Sequence, residues 1–358
     1  MLISLIIFVL SLALVIKGAD LFVDSAERIA KLVGISEFTI GLTLVAFATS
    51  VPELATGVMS ALTNNTGIAA GTIIGSNITN IGLVLGISSL LIAIDLKKAI
   101  YQRDSLFLLA ISVLFYVFAL NGEITRVEGM ALIALLAVFV YLIKKTAPLE
   151  NEGKFERFLA QYYKPNKVAT LKTYEKALEK GLNYSTYKKL MRDGINVKSM
   201  YREKLLADIT KRCLIALFSM FVIYGAAKYL ILSTVELAAA MSVPKEIIAI
   251  SVIAFGTSVP ELSVSLVAVK KKLGNILIGN VVGSCITNIL LIGGITSIIR
   301  TIKISHFDIF FAMPIMILMV VFFVRYLQVK WFTRVLEGVV LLILYALFII
   351  SVIIFYLL

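Results

Sequence analysis

Apolar residues run along this chain in long stretches separated by short polar intervals, and the length of those stretches sets the first expectation. A helix needs about 20 mostly apolar residues to cross a bilayer. Ten segments read that way, near residues 2–22, 38–61, 67–93, 105–120, 127–143, 211–232, 246–268, 275–298, 307–326 and 335–357. One interval is long. From Lys144 to Thr210 hydropathy falls and Lys, Tyr, Glu and Leu dominate, with helical spacing over Leu171 to Leu190 and breaks at Pro165, Gly181 and Gly194. The pattern predicts an all-α integral membrane protein of ten transmembrane helices. Five helices fall in residues 1–143, a basic helical insert in 144–210, and five more in 211–358.

Composition agrees. The chain has 358 residues, 60% of them hydrophobic and only 16% charged, with a mean hydropathy of +0.98, which excludes a soluble domain. The first segment lacks a basic start and an Ala-x-Ala-like site, so it is expected to be a retained span and not a cleaved signal peptide. Charge then orients the spans. Lys17, Arg28, Lys31, Lys97, Lys98, Arg103, the 17 Lys and Arg between 144 and 212, Lys270 to Lys272, Arg325, Lys330 and Arg334 all fall on one set of alternate loops. Only Arg126, Lys228, Lys245, Arg300 and Lys303 of the 34 are left for the other set. By the positive-inside rule both termini lie outside and the insert is cytoplasmic. Five spans is an odd number, so the second half enters the membrane inverted. The formal net charge of +12 follows from membrane orientation, and no nucleic-acid partner is needed to explain it. The insert is expected to rest on anionic lipid headgroups, because it carries no acidic cluster with the spacing of a Ca²⁺-binding loop.

Inside the apolar stretches two motifs occur twice. Ala46 to Leu54 reads AFATSVPEL and Ala254 to Leu262 reads AFGTSVPEL, while Gly75 to Ile81 reads GSNITNI and Gly283 to Ile289 reads GSCITNI. Each second copy begins 208 residues after the first, so the spacing between motifs is duplicated along with the letters. Each first motif places a carboxylate, Glu53 or Glu261, at membrane depth, at a cost of at least about 2.5 kcal/mol on insertion scales. Such a group marks a functional site by default, and two in matching halves point to a transporter.

The donor chemistry narrows the cargo. Pro52 and Pro260 interrupt their helices and free the carbonyls of Ala48 and Gly256, which is tolerated at that depth only where the backbone lines a cavity or finds a partner. Thr49, Ser50, Thr257 and Ser258 share those turns. Ser76 with Asn80, and Ser284 with Asn288, lie four apart and share a helix face. Carbonyls, hydroxyls and carboxylates are hard oxygen donors that suit Na⁺ or Ca²⁺, and Mg²⁺ less well because it sheds water reluctantly. Two cysteines, Cys213 and Cys285, and the single His306 cannot assemble a zinc site or a histidine-based triad. Cys285 reads as a small buried residue and His306 as an interfacial one. Two facing carboxylates are neutralised by one Ca²⁺ or by two Na⁺, so each occupant excludes the other. A carrier whose loaded forms move and whose empty, doubly negative form does not is an obligatory exchanger.

These paired motifs, in inverted halves around a cytoplasmic loop, resemble the sodium/calcium exchangers of the calcium/cation antiporter superfamily in their microbial form. The resemblance covers both halves, most specifically residues 37–93 and 245–299, and leaves the insert outside. It implies that Glu53 and Glu261 ligate Ca²⁺ with help from Thr49 and Thr257. It also implies one Na⁺ site at the Ala46 carbonyl, Thr49 and Ser76 and another at the Ala254 carbonyl, Thr257 and Ser284, with Asn80 and Asn288 completing the centre. The implied activity is antiport of Na⁺ against Ca²⁺ with three Na⁺ per Ca²⁺, the ions being cargo and no cofactor being required. The transport unit is expected to be a monomer. Two positions depart from the pattern: Ala48 stands opposite Gly256, and Asn288 stands where some relatives, including potassium-dependent ones, carry aspartate.

Rival readings are a proton/calcium antiporter, since protons compete for carboxylates in a low dielectric, an intramembrane enzyme, and a passive channel. The hydroxyl-rich turns favour Na⁺ as the driving ion. The membrane segments show no aspartate-rich metal-diphosphate motif and no nucleophile with a base, and the internally symmetric broken helices speak for alternating access over a channel.

Overall fold

A computed structural model describes residues 2–33, 36–91, 98–162, 197–240, 258–328 and 335–357. They are almost entirely helical. In chain order the helices are α1 (Leu2–Val33), α2 (Glu37–Ile40), α3 (Ala46–Thr49), α4 (Val51–Leu62), α5 (Thr66–Thr79), α6 (Gly86–Leu91), α7 (Lys98–Ala119), α8 (Arg126–Tyr162), α9 (Val197–Ala240), α10 (Val259–Lys270), α11 (Gly274–Thr287), α12 (Gly293–Ile299), α13 (Met313–Gln328) and α14 (Val335–Leu357). Short π-helical turns join α2 to α3 (Gly41–Val45), α5 to α6 (Asn80–Leu85) and α11 to α12 (Asn288–Ile292), and a fourth leads into α13 (Asp308–Ala312). Besides turns, the described residues include a clip of two-residue strands, β1 (Glu123–Ile124) and β2 (Ile302–Lys303), paired antiparallel with Glu123 opposite Lys303.

Among the described residues seven helices are long and apolar enough to cross a membrane, and the pair Glu37–Thr49 and Val51–Leu62, bent by 45°, makes an eighth candidate. Helix boundaries follow the expected segments closely wherever a turn ends the span, as at 66–91 and 274–299. They overrun them where a polar continuation is free to stay helical in water: α8 continues to Tyr162 and α9 begins at Val197, both inside the expected insert. The expected helix at 171–190 and its breaks lie outside the described residues.

Burial sorts the spans into two shells. The windows of Thr66–Leu91 and Gly274–Ile299 are 78% and 89% buried, against 22–28% for α1, α8, α9 and α14. The outer helices turn large apolar side chains outward, among them Leu10, Val138, Phe221 and Ile350. For a protein in water that surface would be an aggregation liability; in a bilayer it is the lipid-facing coat. The protein is therefore membrane-embedded and multi-pass.

The halves interlock. α1 runs antiparallel to α9, with Ser4 donating to Glu236 at 2.8 Å and Gly18 set against Ile223. Gly338 of α14 crosses Gly86 of α6, and Gly129 of α8 crosses Gly294 of α12, so a helix from each half closes on the inner helix of the other. Polar contacts mark two ends. At one, Arg300 donates to Asn64 (2.6 Å), the Lys303 amide to Thr66 (3.2 Å), and Arg126 to the Ile299 carbonyl (3.3 Å). At the other, Lys271 pairs with Asp20 (2.8 Å) and Asp24 (2.5 Å) of α1. Thr66 begins one buried span beside the residues that follow the end of the other, so the two central spans run in opposite directions.

Candidate cation site

Local backbone geometry reproduces the sequence duplication. Ser50 (φ −84°, ψ 6°) and Ser258 (φ −90°, ψ 6°) each leave the helical region just before a proline that opens the next helix, α4 or α10. Proline suits a first turn, where its missing N–H leaves no bond unmade. Each helix ends in the same tight reversal, with Asn64 (φ 63°) and Lys272 (φ 60°) in the left-handed region. The Asn65 amide donates to the Ser60 carbonyl and the Leu273 amide to the Ala268 carbonyl, both at 2.8 Å. Beyond the reversals α5 and α11 carry the second motifs, and in both halves the α-helix gives way to a π turn at the motif asparagine, Asn80 or Asn288. A π turn widens the helix by one residue and is frequent at functional sites.

These elements bury a polar centre. Ala46, Thr49, Ser50, Glu53, Ser76, Asn80, Ser258, Glu261, Ser284 and Asn288 are all buried, Glu53 and Glu261 at 1% exposure each. Ala254 and Thr257 lie outside the described residues. The motifs meet across the halves. Ser50 Oγ is 3.5 Å from Glu261 Oε1, and the two carboxylates are near enough to interact electrostatically. Thr49 Oγ1 is 3.3 Å from the Ala46 carbonyl, 3.4 Å from Ser284 Oγ and 3.3 Å from Asn280 Oδ1, while Ser76 Oγ is 3.5 Å from Glu53 Oε1. The structure thus sets Ser284 of the second half beside Thr49 of the first. The reason is packing. Gly279 and Gly283 press α11 of the second half onto the first-half segment Phe38–Ala46, where a Cβ would come within 2.4 Å of the Phe38 or Leu42 carbonyl.

The separations carry chemical meaning. Hydroxyls nearby that serve only their own helices bond at ordinary lengths, Thr43 to the Thr39 carbonyl at 2.7 Å, Thr56 to Pro52 at 2.9 Å and Ser263 to Val259 at 2.7 Å. At the centre the oxygens stand 3.3 to 3.5 Å apart, long for O–H···O bonds. Oxygens at right angles on a cation with metal–oxygen bonds of about 2.4 Å are about 3.4 Å apart. Glu261 Oε2, Ser258 Oγ and both amide atoms of Asn80 and Asn288 have no hydrogen-bond partner among the described residues. Buried polar atoms are normally satisfied, so this concentration fits residues that bind a hard cation. Among the described residues no cluster of three or more His, Cys, Asp or Glu side chains is present.

Asn280 and Ser265 were not singled out by the repeated motifs, because their counterparts 208 residues earlier, Thr72 and Gly57, are different residues. A signal was present: Asn280, Ser284 and Asn288 recur every four residues, forming one polar stripe on an otherwise apolar helix.

Comparison with known proteins identifies the family. The family model described as sodium/calcium exchanger protein matches residues 3–145 and 212–354, two blocks that flank the insert. The sodium/calcium exchanger MaX1 of Methanosarcina acetivorans is 33% identical over 356 residues, covering 99% of each chain. The putative antiporter CaxA of Alkalimonas amylolytica is 30% identical over 302 residues, 84% of this chain and 82% of the relative. Among solved structures, the sodium-calcium exchanger NCX_Mj shares the fold with a TM-score of 0.74 at 24% identity, covering 98% of this chain and 99% of the other. Members of the matched family are transporters and not enzymes. This chain belongs to the sodium/calcium exchanger family.

Proposed function

We propose that this protein is an antiporter that exchanges Na⁺ for Ca²⁺ by alternating access at the centre formed by Glu53 and Glu261. The observation that carries the reading is the set of buried oxygens from both halves, spaced 3.3 to 3.5 Å apart around two carboxylates. Ca²⁺ is held between the carboxylates with oxygens of Thr49 and Thr257. Na⁺ occupies flanking positions built from Thr49 with the Ala46 carbonyl and from Thr257 with the Ala254 carbonyl, completed by Ser50, Ser258, Ser76 and Ser284. Asn80 and Asn288 close the centre with neutral amides, which leaves a formal charge of two for one Ca²⁺ or two Na⁺ to offset. A third Na⁺ per cycle makes exchange electrogenic and couples it to voltage, at about 2.3 kcal/mol per 100 mV for one charge. The ions are cargo, and no cofactor takes part.

The same reading sets the architecture: ten spans in two inverted five-helix repeats, both termini outside, and residues 144–210 in the cytoplasm against anionic headgroups. The matching reversals at Asn64 and Lys272 support it, since they sit at opposite ends of the molecule. The transport unit is one chain. The test is ⁴⁵Ca²⁺ uptake into proteoliposomes loaded with Na⁺, compared with proteoliposomes carrying an outward H⁺ gradient. Uptake driven by Na⁺ alone is the expected result. Uptake driven by H⁺ and indifferent to Na⁺ would make the protein a proton/calcium antiporter.

A further inference from the structure

The duplicated motifs explain most of the polar atoms at the centre, but one pair of side chains there belongs to a single half. Asn280 and Ser265 are fully buried. The Asn280 amide nitrogen donates to Ser265 Oγ at 3.2 Å, and its carbonyl oxygen faces Thr49 Oγ1 at 3.3 Å. Using the donor end on Ser265 turns the acceptor end toward Thr49, the Ala46 carbonyl and Ser284. Thr49 Oγ1 lies 3.3 to 3.4 Å from the Ala46 carbonyl, Asn280 Oδ1 and Ser284 Oγ and also faces the Glu261 carboxylate, so the two hydroxyls bring two protons to a larger set of acceptor oxygens. Converging lone pairs with too few protons are what a cation satisfies.

We propose that Asn280, aimed by Ser265, is a specificity-determining residue that supplies a neutral oxygen to the monovalent cation beside Thr49, on one side of the site only. The inference rests on the exchange reading above. The matching positions cannot build the same brace. Thr72 spends its hydroxyl on the Ile68 carbonyl at 2.8 Å. Gly57 has no side chain, and the space over it is taken by Ile292 and Thr296, which a Cβ would meet at 2.8 Å. An amide oxygen adds no charge, so it leaves the balance between Ca²⁺ and the carboxylates unchanged. It strengthens the flanking position, where neutral oxygens dominate the shell. The two Na⁺ positions are therefore unequal, and the one at Thr49 is the tighter.

The test compares two constants in the same proteoliposomes: the half-saturating Na⁺ for Na⁺-driven Ca²⁺ flux, and the half-saturating Ca²⁺ for Ca²⁺/Ca²⁺ exchange, which needs no Na⁺. Asn280→Ala is expected to raise the Na⁺ constant about tenfold, equivalent to about 1.4 kcal/mol, while the Ca²⁺ constant stays within about twofold. Ser265→Ala keeps the amide but frees it to rotate, so a smaller shift in the same direction is expected, and it serves should Asn280→Ala not fold. Thr72→Ala, at the matching position, is expected to leave the Na⁺ constant unchanged. A parallel rise in both constants, or an unshifted Na⁺ constant in folded Asn280→Ala and Ser265→Ala, overturns the inference while the exchange reading stands. Absence of Na⁺-driven flux in the unsubstituted protein overturns the exchange reading, and this inference with it.

Discussion

The hairpin from Val51 to Asn80 and the hairpin from Val259 to Asn288 share cap angles, reversal geometry and π turns, yet their surroundings differ. The second is braced by Asn280 and Ser265 and lies with Gly279 and Gly283 tight against Phe38–Ala46. In the first, Thr72 and Gly57 stand at the matching positions and form no such brace, and residues 246–254, the counterpart of Phe38–Ala46, lie outside the described residues. The backbone is duplicated and the brace of Asn280 on Ser265 is not. The proposed centre uses the shared part, the carboxylates and asparagines of both halves. That single brace is the difference on which the proposed inequality of the two Na⁺ positions rests.

The largest effect should come from what the halves share. Each carboxylate supplies half of the charge that offsets dehydration of a divalent ion, and leaving the partner charge unbalanced in a buried site costs several kcal/mol. Glu53→Gln and Glu261→Gln are each expected to lower Na⁺-driven ⁴⁵Ca²⁺ flux by at least about a hundredfold in folded protein. Near-normal flux in either one would mean that the halves do not contribute equally to a two-carboxylate centre.

Packing gives the next contrast. Gly283→Ala places a Cβ against the Leu42 carbonyl and the Ala46 side chain, and overpacking of that kind costs about 1–3 kcal/mol. A drop in the melting temperature of detergent-purified protein is expected. An unchanged melting temperature would contradict the close approach of α11 to Phe38–Ala46.

Position 288 probes charge. Asn288 is buried with both amide atoms unbonded among the described residues, and Asn288→Asp would add a third carboxylate that a lone Ca²⁺ cannot neutralise. A changed coupling ratio or a new K⁺ dependence is expected in reversal potentials measured on liposomes, together with a steeper loss of flux below neutral pH. An unaltered ratio and pH profile would remove Asn288 from the site.

The smallest effect is expected from the insert. Replacing residues 152–203 with a flexible linker should change rate or regulation and leave the ratio of Na⁺-driven to H⁺-driven uptake as in the intact chain. Loss of that preference in a folded deletion would place selectivity outside the two hairpins.

Much of this was legible in the sequence because bilayer thickness and repetition both leave marks in it. Apolar length gave α5 with α6 and α11 with α12 within a residue or two, and the repeated TSVPEL placed both carboxylates. Three features were not legible. The π turns at Asn80 and Asn288 follow from how the inner helices pack, and no local composition announces them. The pairing of Thr49 with Ser284 depends on α11 lying on α3, a tertiary contact that the glycines permit but do not specify. Asn280 lies outside the identities between the halves, since Thr72 stands at its counterpart, and its value lies in having no twin.

The most direct test of the central claim, that one centre takes either ion and never both, is equilibrium binding of ⁴⁵Ca²⁺ to the purified protein as Na⁺ is raised. A single Ca²⁺ per chain is expected, displaced by Na⁺ competitively and with a Hill coefficient above one, and absent in Glu53→Gln and in Glu261→Gln. Ca²⁺ binding that is indifferent to Na⁺, or that survives loss of either carboxylate, would contradict it.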